Sequence, residues 1–427
     1  MRRETQQDRT PPDEQVQTDA SRSELEGHPK WRVTLPVMWV AQVSSIMGFS
    51  FVMPFIPFFV RELGVSEKAV PLWAGLTGTG AGIAMSIMGP IWGWIADRYG
   101  RKPMVMRAMF GGGVVLALMG MARNVYQLLL LRIIQGSITG TVPASVALVS
   151  SVVPKNRLGF SLGVMQMAVF TGGSIGPYVG GIVADHYGYR VPFGVTGALL
   201  LFGGVLVLFG ARERFVRPEP PQQGEVPALR VIFGTPAIPI LLMLYMVMNL
   251  SGSFVMPIFP LLVEQIVGKP QQAASETGML LAITGVAGAV ASASVGRWSD
   301  RFGHKRTLVL CTTIAALLCF PHYLAQTVPQ LFFLRILFGL GVGGMIPAMN
   351  AMVASVVPRT NIAQAYGFTT TASALGWAIG PALGGWVASA LGYRVPFIIM
   401  GTLLLLVTLL QRRGLPSQAI DRDETQT

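Results

Sequence analysis

Phe51-Val52-Met53-Pro54 stands 203 residues before Phe254-Val255-Met256-Pro257, and the same interval recurs along the chain. Asp97-Arg98 and Gly100 return as Asp300-Arg301 and Gly303, and Arg132-Ile133 and Gly136 return as Arg335-Ile336 and Gly339, each displaced by 203. After one inserted residue, Ser151-Val152-Val153-Pro154 returns as Ser355-Val356-Val357-Pro358, and Tyr189-Arg190-Val191-Pro192-Phe193 returns as Tyr393-Arg394-Val395-Pro396-Phe397, displaced by 204. A fixed displacement held over so long a stretch marks internal duplication. The chain is two copies of one unit.

The content of each copy decides the fold class. Hydrophobic residues make up 52% of the sequence, charged residues only 12%, and the mean hydropathy is +0.54. Soluble domains carry about 25% charged residues, so this chain lacks the polar skin that a soluble protein of its length requires. About twenty apolar residues cross the hydrocarbon core as a helix. Such segments fall at 33–61, 72–96, 104–122, 126–152, 160–185 and 192–211, and again at 236–263, 275–299, 307–325, 329–356, 363–390 and 396–411. Alternating stretches of about ten residues, which would mark a β-barrel, are absent. The expectation is an all-α membrane protein of twelve transmembrane helices in two six-helix, pseudo-symmetric halves, 33–211 and 236–411. Six is an even number, so both copies enter the bilayer the same way, and a parallel repeat puts a pseudo-two-fold axis along the membrane normal with a cavity between the halves.

The intervening 212–235, with Pro218, Pro220, Pro221 and Pro227, reads as a polar linker. Residues 1–32 mix acids, bases and Gln without the apolar core of a cleaved signal, and read as a disordered cytoplasmic tail; 412–427 is a second tail. Cys311 and Cys319 share one span and form neither a disulfide framework nor a metal site. The net charge of +12 has a topological explanation. With the N-terminus in the cytoplasm, 24 of the 32 Lys and Arg fall in cytoplasmic segments, six outside, and two, Arg132 and Arg335, within spans. The positive-inside rule accounts for that bias, and no soluble domain carries a basic patch, so nucleic acid is not an expected partner. Both termini are expected in the cytoplasm.

Gly93-Trp94-Ile95-Ala96-Asp97-Arg98-Tyr99-Gly100-Arg101-Lys102 lies between the second and third spans and fits G-x-x-x-D-R-x-G-R-K. On these residues the chain resembles the major facilitator superfamily. The second copy runs from Gly296 to Lys305, with His304 in place of the first base of the final pair. Asp97 sits near a helix C-terminus, where the dipole disfavours a negative charge, so it needs a basic partner or another helix N-terminus. The resemblance implies a cytoplasmic latch built from Gly93, Asp97, Arg98, Gly100, Arg101 and Lys102, with Asp300 and Arg301 as its weaker copy; a tight turn with positive-inside charges is the plainer reading. Gly163, Gly172, Gly176-Pro177 and Gly180-Gly181 resemble the antiporter motif of the drug-exporting branch. Small residues at i, i+4 and i+8 also bare a helix face for close packing, and the same spacing at Gly367, Gly376, Gly380-Pro381 and Gly384-Gly385 allows packing alone as the reason.

Leu128, Arg132, Gln135 and Gly136 resemble the family's L-x-x-x-R-x-x-Q-G pattern. An arginine at mid-helix costs about 2.5–3.5 kcal/mol on insertion scales unless it faces water or a partner; snorkelling to the outer interface is the bland alternative. Gln42, Gln135, Gln166, Tyr245, Asn249, Asn350 and Trp377 are candidate substrate contacts, on helices that the family fold places around the pathway; each alone is as readily an interhelical hydrogen bond. No Asp or Glu falls mid-span, whereas many drug–proton antiporters of the family carry an embedded acid, so protons stand as an open partner. The resemblance implies a secondary transporter in a bacterial plasma membrane that exports small amphipathic molecules, with multidrug efflux by proton antiport foremost. An exporter of a sugar or of a metabolite such as a siderophore fits the same fold. The four scattered histidines and the lack of an acid–base or metal constellation disfavour an enzyme, and no loop is long enough for a receptor's sensor domain. The expected partners are a small-molecule substrate and the lipid bilayer; a monomer is expected, with no cofactor and no metal. With Arg132 and Arg335 as the only charges inside spans, neutral, zwitterionic and anionic cargo should outrank dications.

Overall fold

The computed structural model describes residues 29–154, 157–213, 215, 237–356 and 362–415. Nearly all of both expected tails and of the linker 212–235 lies outside the described residues. Among the described residues there is no strand, and twelve helices are long and apolar enough to cross a membrane. The N-terminal half holds α1 (Trp31–Val52 and Ile56–Glu62), α2 (Val70–Tyr99), α3 (Arg101–Met119), α4 (Val125–Ile138 and Thr141–Val152), α5 (Leu158–Tyr187) and α6 (Val191–Gly210). The C-terminal half holds α7 (Ala237–Val255 and Phe259–Val267), α8 (Pro270–Phe302), α9 (His304–Leu324), α10 (Val328–Gly343 and Met345–Val356), α11 (Ile362–Leu391) and α12 (Val395–Gly414).

Four spans read as continuous from the sequence are interrupted. The first and seventh break at Pro54 and Pro257, one position in the two copies. Proline there removes a helical hydrogen bond and clashes with the carbonyl four residues back, and the chain turns through Met53–Phe55 as a 3-10 turn. The fourth breaks at Gly140, whose φ of +123° is a conformation that residues with a Cβ avoid. Gly344 separates the two pieces of α10. The arginine count within spans also needs correction. Arg107 belongs to the second turn of α3, with its guanidinium 3.7 Å from the centre of the Trp92 ring. It lies inside the expected 104–122 span, close to its start, and adds to Arg132 and Arg335 there. Glu276 likewise lies in the second turn of α8, because that helix begins at Pro270, ahead of its apolar stretch.

Within each half, the first helix of the repeat packs on the fifth and sixth, and the third on the sixth. Phe51, Phe58, Phe59 and Phe193 fill the core of the N-terminal half, and Phe259, Leu262 and Phe397 that of the other. The halves meet through two pairs, α5 against α8 and α2 against α11. Each pair joins the fifth helix of one copy to the second helix of the other, as a pseudo-two-fold axis requires.

Candidate transport pathway and its gates

The tightest junction between the halves involves two residues that sequence reasoning did not select. Arg61 and Glu264 are displaced by 203, so the duplication puts opposite charges at one repeat position. They meet across the pseudo-two-fold axis in a bidentate pair, Nη1 donating to Oε1 at 2.7 Å and Nη2 to Oε2 at 2.8 Å. Paired charge-assisted bonds of this geometry are strong and orientation-specific. Arg61 Nε is also 2.8 Å from Glu67. Tyr189, in the loop after α5, lies beside this pair. Its phenol is pushed up to about 12, first by burial and then by the charges of Asp185 and Glu264, so it stays neutral at physiological pH. The repeat interval is the signal that could find this pair, through charge complementarity across it and not through identity.

Asp185, near the end of α5, accepts from the backbone N–H groups of Ala274 at 3.3 Å and Ser275 at 2.7 Å, and from the Ser275 hydroxyl. This carboxylate therefore ties α5 to the start of α8. Its counterpart in the second copy is Ser389, whose hydroxyl has no partner. Glycines let the backbones close around these polar ties. A Cβ on Gly75 would collide with the carbonyl of Pro381, and one on Gly278 with that of Pro177. Gly181 faces the Ala274 carbonyl and Gly385 the Pro71 carbonyl in the same way. All four contacts cross between halves, and they form two symmetry-related pairs.

At the Asp97 end the halves stand apart. Asp97 is exposed and makes no hydrogen bond or ion pair with any described residue. Gly89, Gly93, Gly159, Gly163 and Gly367 would have open space around an added Cβ. Arg98 is exposed, its guanidinium 5.7 Å from the Trp94 ring centre on its own helix. Gly100 ends α2 with a φ of +100°. Glu213 accepts from the backbone N–H groups of Arg101 and Lys102 at 2.8 Å each, and so caps the start of α3. The Lys102 ammonium donates to the carbonyls of Leu208 and Ala211, at 2.7 and 2.8 Å, at the end of α6. Lys305 reaches the carbonyl of Leu415 after α12 in the second copy. Here the basic end of the motif serves packing within its own half. Asp300 and Arg301 lie on α8, and their side chains fall outside the described residues.

Between the closed and open ends lies a cavity of about 480 Å³, lined by both halves. Its walls are mainly apolar, with Phe49, Met53, Met248, Met256 and Trp377 among them. The remaining sequence candidates divide by location. Gln135 accepts from Arg132 Nη1 at 2.7 Å, and Arg132 Nη2 lies 3.0 Å from Met53 Sδ, beside a smaller adjoining cavity that Trp377 also lines. Arg132 is only 4% exposed, seven residues or about 10 Å inside α4. Gln42 and Gln166 share a separate pocket of about 200 Å³ within the N-terminal half, and both amide atoms of the buried Gln42 lack a partner. Tyr245 donates to Asn350 at 2.6 Å, and Asn249 donates to the Tyr245 carbonyl at 2.8 Å; these three do not line the central cavity. Gly176 and Pro177 sit on α5, where Gly172, Gly176 and Gly180 pack against α1.

Comparisons with known proteins agree with this architecture. The chain is 33% identical to "Multidrug resistance protein MdtG" of Citrobacter koseri, over 88% of this chain and 93% of that protein. It is 32% identical to the protein of that name in Escherichia fergusonii, over 90% and 95%. Among solved structures, it superposes on a bacterial homologue of the human lysosomal transporter Spinster, in an inward-facing and occupied conformation, with a TM-score of 0.75 at 16% identity, covering 90% of this chain and 97% of that one. The nucleoside transporter NupG gives 0.74 at 13% identity, with 89% and 99% covered. Residues 38–268 and 241–423 match the Major Facilitator Superfamily, so the chain belongs to that superfamily and is a multi-pass membrane transporter, not an enzyme.

Proposed function

We infer that this protein is a secondary transporter that exports small amphipathic molecules from the bacterial cytoplasm, as a multidrug efflux pump working by alternating access. The observation that carries the reading is the cavity, sealed at the Arg61–Glu264 end and unlatched at the Asp97 end. A pocket of that size with apolar walls and few polar groups suits drug-sized ligands. The names of the relatives support multidrug export as the cargo class. The distribution of Lys and Arg puts the Asp97 face, the segments flanking α1 and α12, and the 212–235 linker in the cytoplasm of a plasma-membrane protein. The cavity in this structure then faces inward. Gly93, Asp97, Arg98, Asp300 and Arg301 act in the cytoplasmic gate, with Arg101 and Lys102 bracing it; Gly176 and Pro177 act in the outer one. Arg132 with Gln135, and Trp377, face the pathway, and a monomer suffices because both halves of the site belong to one chain. Protons are the coupling ion.

Uptake into inside-out vesicles tests the function. A panel of hydrophobic compounds should accumulate when the vesicle interior is acidified, and accumulation of none of them overturns the reading. Topology has its own test in whole cells lacking Cys311 and Cys319. A Gln222→Cys variant should resist an impermeant thiol reagent, and labelling there reverses the orientation.

A further inference from the structure

Arg132 and Arg335 occupy one repeat position, yet their surroundings differ. Arg132 spends its guanidinium on Gln135 and Met53. The position corresponding to Gln135 in the second copy is Phe338, so Arg335 has lost its acceptor. Arg335 makes no hydrogen bond with any described residue; its Nε and Nη2 are enclosed and unpartnered. It is 7% exposed, and its guanidinium carbon lies 3.5 Å from the centre of the Phe259 ring. A ring face attracts a cation, but it leaves every N–H without an acceptor. No carboxylate lines the central cavity into which Arg335 looks.

His322 lines the same cavity at 1% exposure. Its Nδ1 lies 2.7 Å from the Leu318 carbonyl, which only accepts, so Nδ1 carries the ring proton and Nε2 is a bare acceptor. Nε2 has no partner, and the ring stacks on Phe397 with planes 3° apart. Phe259, Phe338 and Phe397 thus form aromatic walls around one unsatisfied cation and one unsatisfied acceptor. Buried polar groups ordinarily find partners, and a lone buried charge is costly. An arrangement that supplies neither points to a ligand that supplies both.

We propose that Arg335 and His322 form a head-group subsite for amphipathic organic carboxylates in the C-terminal half of the cavity. The carboxylate accepts from the Arg335 guanidinium at Nη1, the nitrogen that is not enclosed, while the apolar body lies on the three phenylalanines. An O–H or N–H on the ligand donates to His322 Nε2. This deepens the transport reading and rests on it, but binding is measurable without transport. The full-length protein in lipid nanodiscs is titrated with 1-naphthylacetate and with its neutral isostere 1-naphthylacetamide, with empty nanodiscs as the partition control. The wild type should bind the acid at least tenfold more tightly than the amide. Arg335→Gln should erase that preference while amide affinity persists, which also reports that the cavity is intact. Arg335→Lys should retain part of it. His322→Gln, which keeps an acceptor, should change acid affinity less than His322→Phe for ligands carrying an α-hydroxyl. Equal binding of acid and amide to the wild type, or a preference that survives Arg335→Gln, overturns the proposal. A preserved preference in nanodiscs together with no export of any compound by vesicles would sink the transport reading and leave the subsite standing.

Discussion

Arg61 and Glu264 illustrate how a duplication produces a gate. Two copies related by a two-fold axis bring each axial residue against its own counterpart, so like residues would repel or merely touch. Opposite charges at that position turn the contact into a bidentate ion pair. Bonds to a charged group contribute about 1.5–3 kcal/mol each, enough to shift a two-state gate roughly ten- to a hundredfold. Glu264→Arg should therefore abolish export with membrane insertion intact, and adding Arg61→Glu should restore much of it, because the swapped pair meets on the same axis. Quantitative vesicle transport of both variants decides this; a double variant as inactive as the single one would place the pair off the pathway. Asp97 is the complementary case, unpaired among the described residues and predicted to engage when the cytoplasmic ends close. Asp97→Asn should cut transport at least tenfold, and Asp300→Asn less, because its motif copy carries His304. Equal losses, or none, would reduce both to turn residues. Asp97 stands out in the sequence, because an acid at a helix C-terminus goes against the dipole. Arg61 and Glu264 do not, since each alone is an ordinary charge at a span end.

The glycine-rich helices α5 and α11 use their bare faces for close packing on two sides. Gly172, Gly176 and Gly180 lie against α1, and Gly376, Gly380 and Gly384 lie against α7, within their own halves. The next glycine along, Gly181 or Gly385, turns to the other half and meets the carbonyl of Ala274 or Pro71. One motif thus both fixes a helix in its bundle and leaves bare a strip that meets the other half. The period of four residues covers the first set of contacts and is silent on Gly181 and Gly385, which point about 100° away. Gly75 carries no motif, yet it is as tightly placed against Pro381. Gly75→Val should wedge the outer gate, since the Cβ meets backbone and not a mobile side chain. In a protein lacking Cys311 and Cys319, a Phe49→Cys probe in the cavity should then react with an external impermeant thiol reagent at least tenfold faster. Unchanged labelling would show that α2 and α11 do not form the outer seal. Elements were the most legible scale: all twelve spans were recognisable from hydropathy, while the breaks at Gly140 and Gly344 depend on local backbone geometry that composition does not encode.

At the scale of the whole molecule, the closed end holds its carboxylates and the open end releases one. Glu264 is committed to Arg61 and Asp185 to the start of α8, whereas Asp97 is exposed to the side on which the cavity opens. An alternating-access cycle predicts the exchange of these roles: opening the outer end would free Glu264 and Asp185, and closing the inner end would bring Asp97 against the opposite half. A carboxylate is more readily protonated when it loses a cationic or N–H partner and charged when it gains one. Proton antiport through these rim carboxylates requires that a proton taken up on the outer side be released on the inner one. No nucleotide-binding loop of the G-x-x-x-x-G-K-S/T type occurs in the sequence, and the prediction is transport driven by the pH gradient. In inside-out vesicles, export should stop within the collapse time of the pH gradient when nigericin is added, and should continue when ATP is removed and the gradient is imposed chemically. Asp97→Asn should leave residual downhill flux that no longer responds to the gradient. Transport that ignores nigericin but halts without ATP would show that the gates are driven by something other than protons.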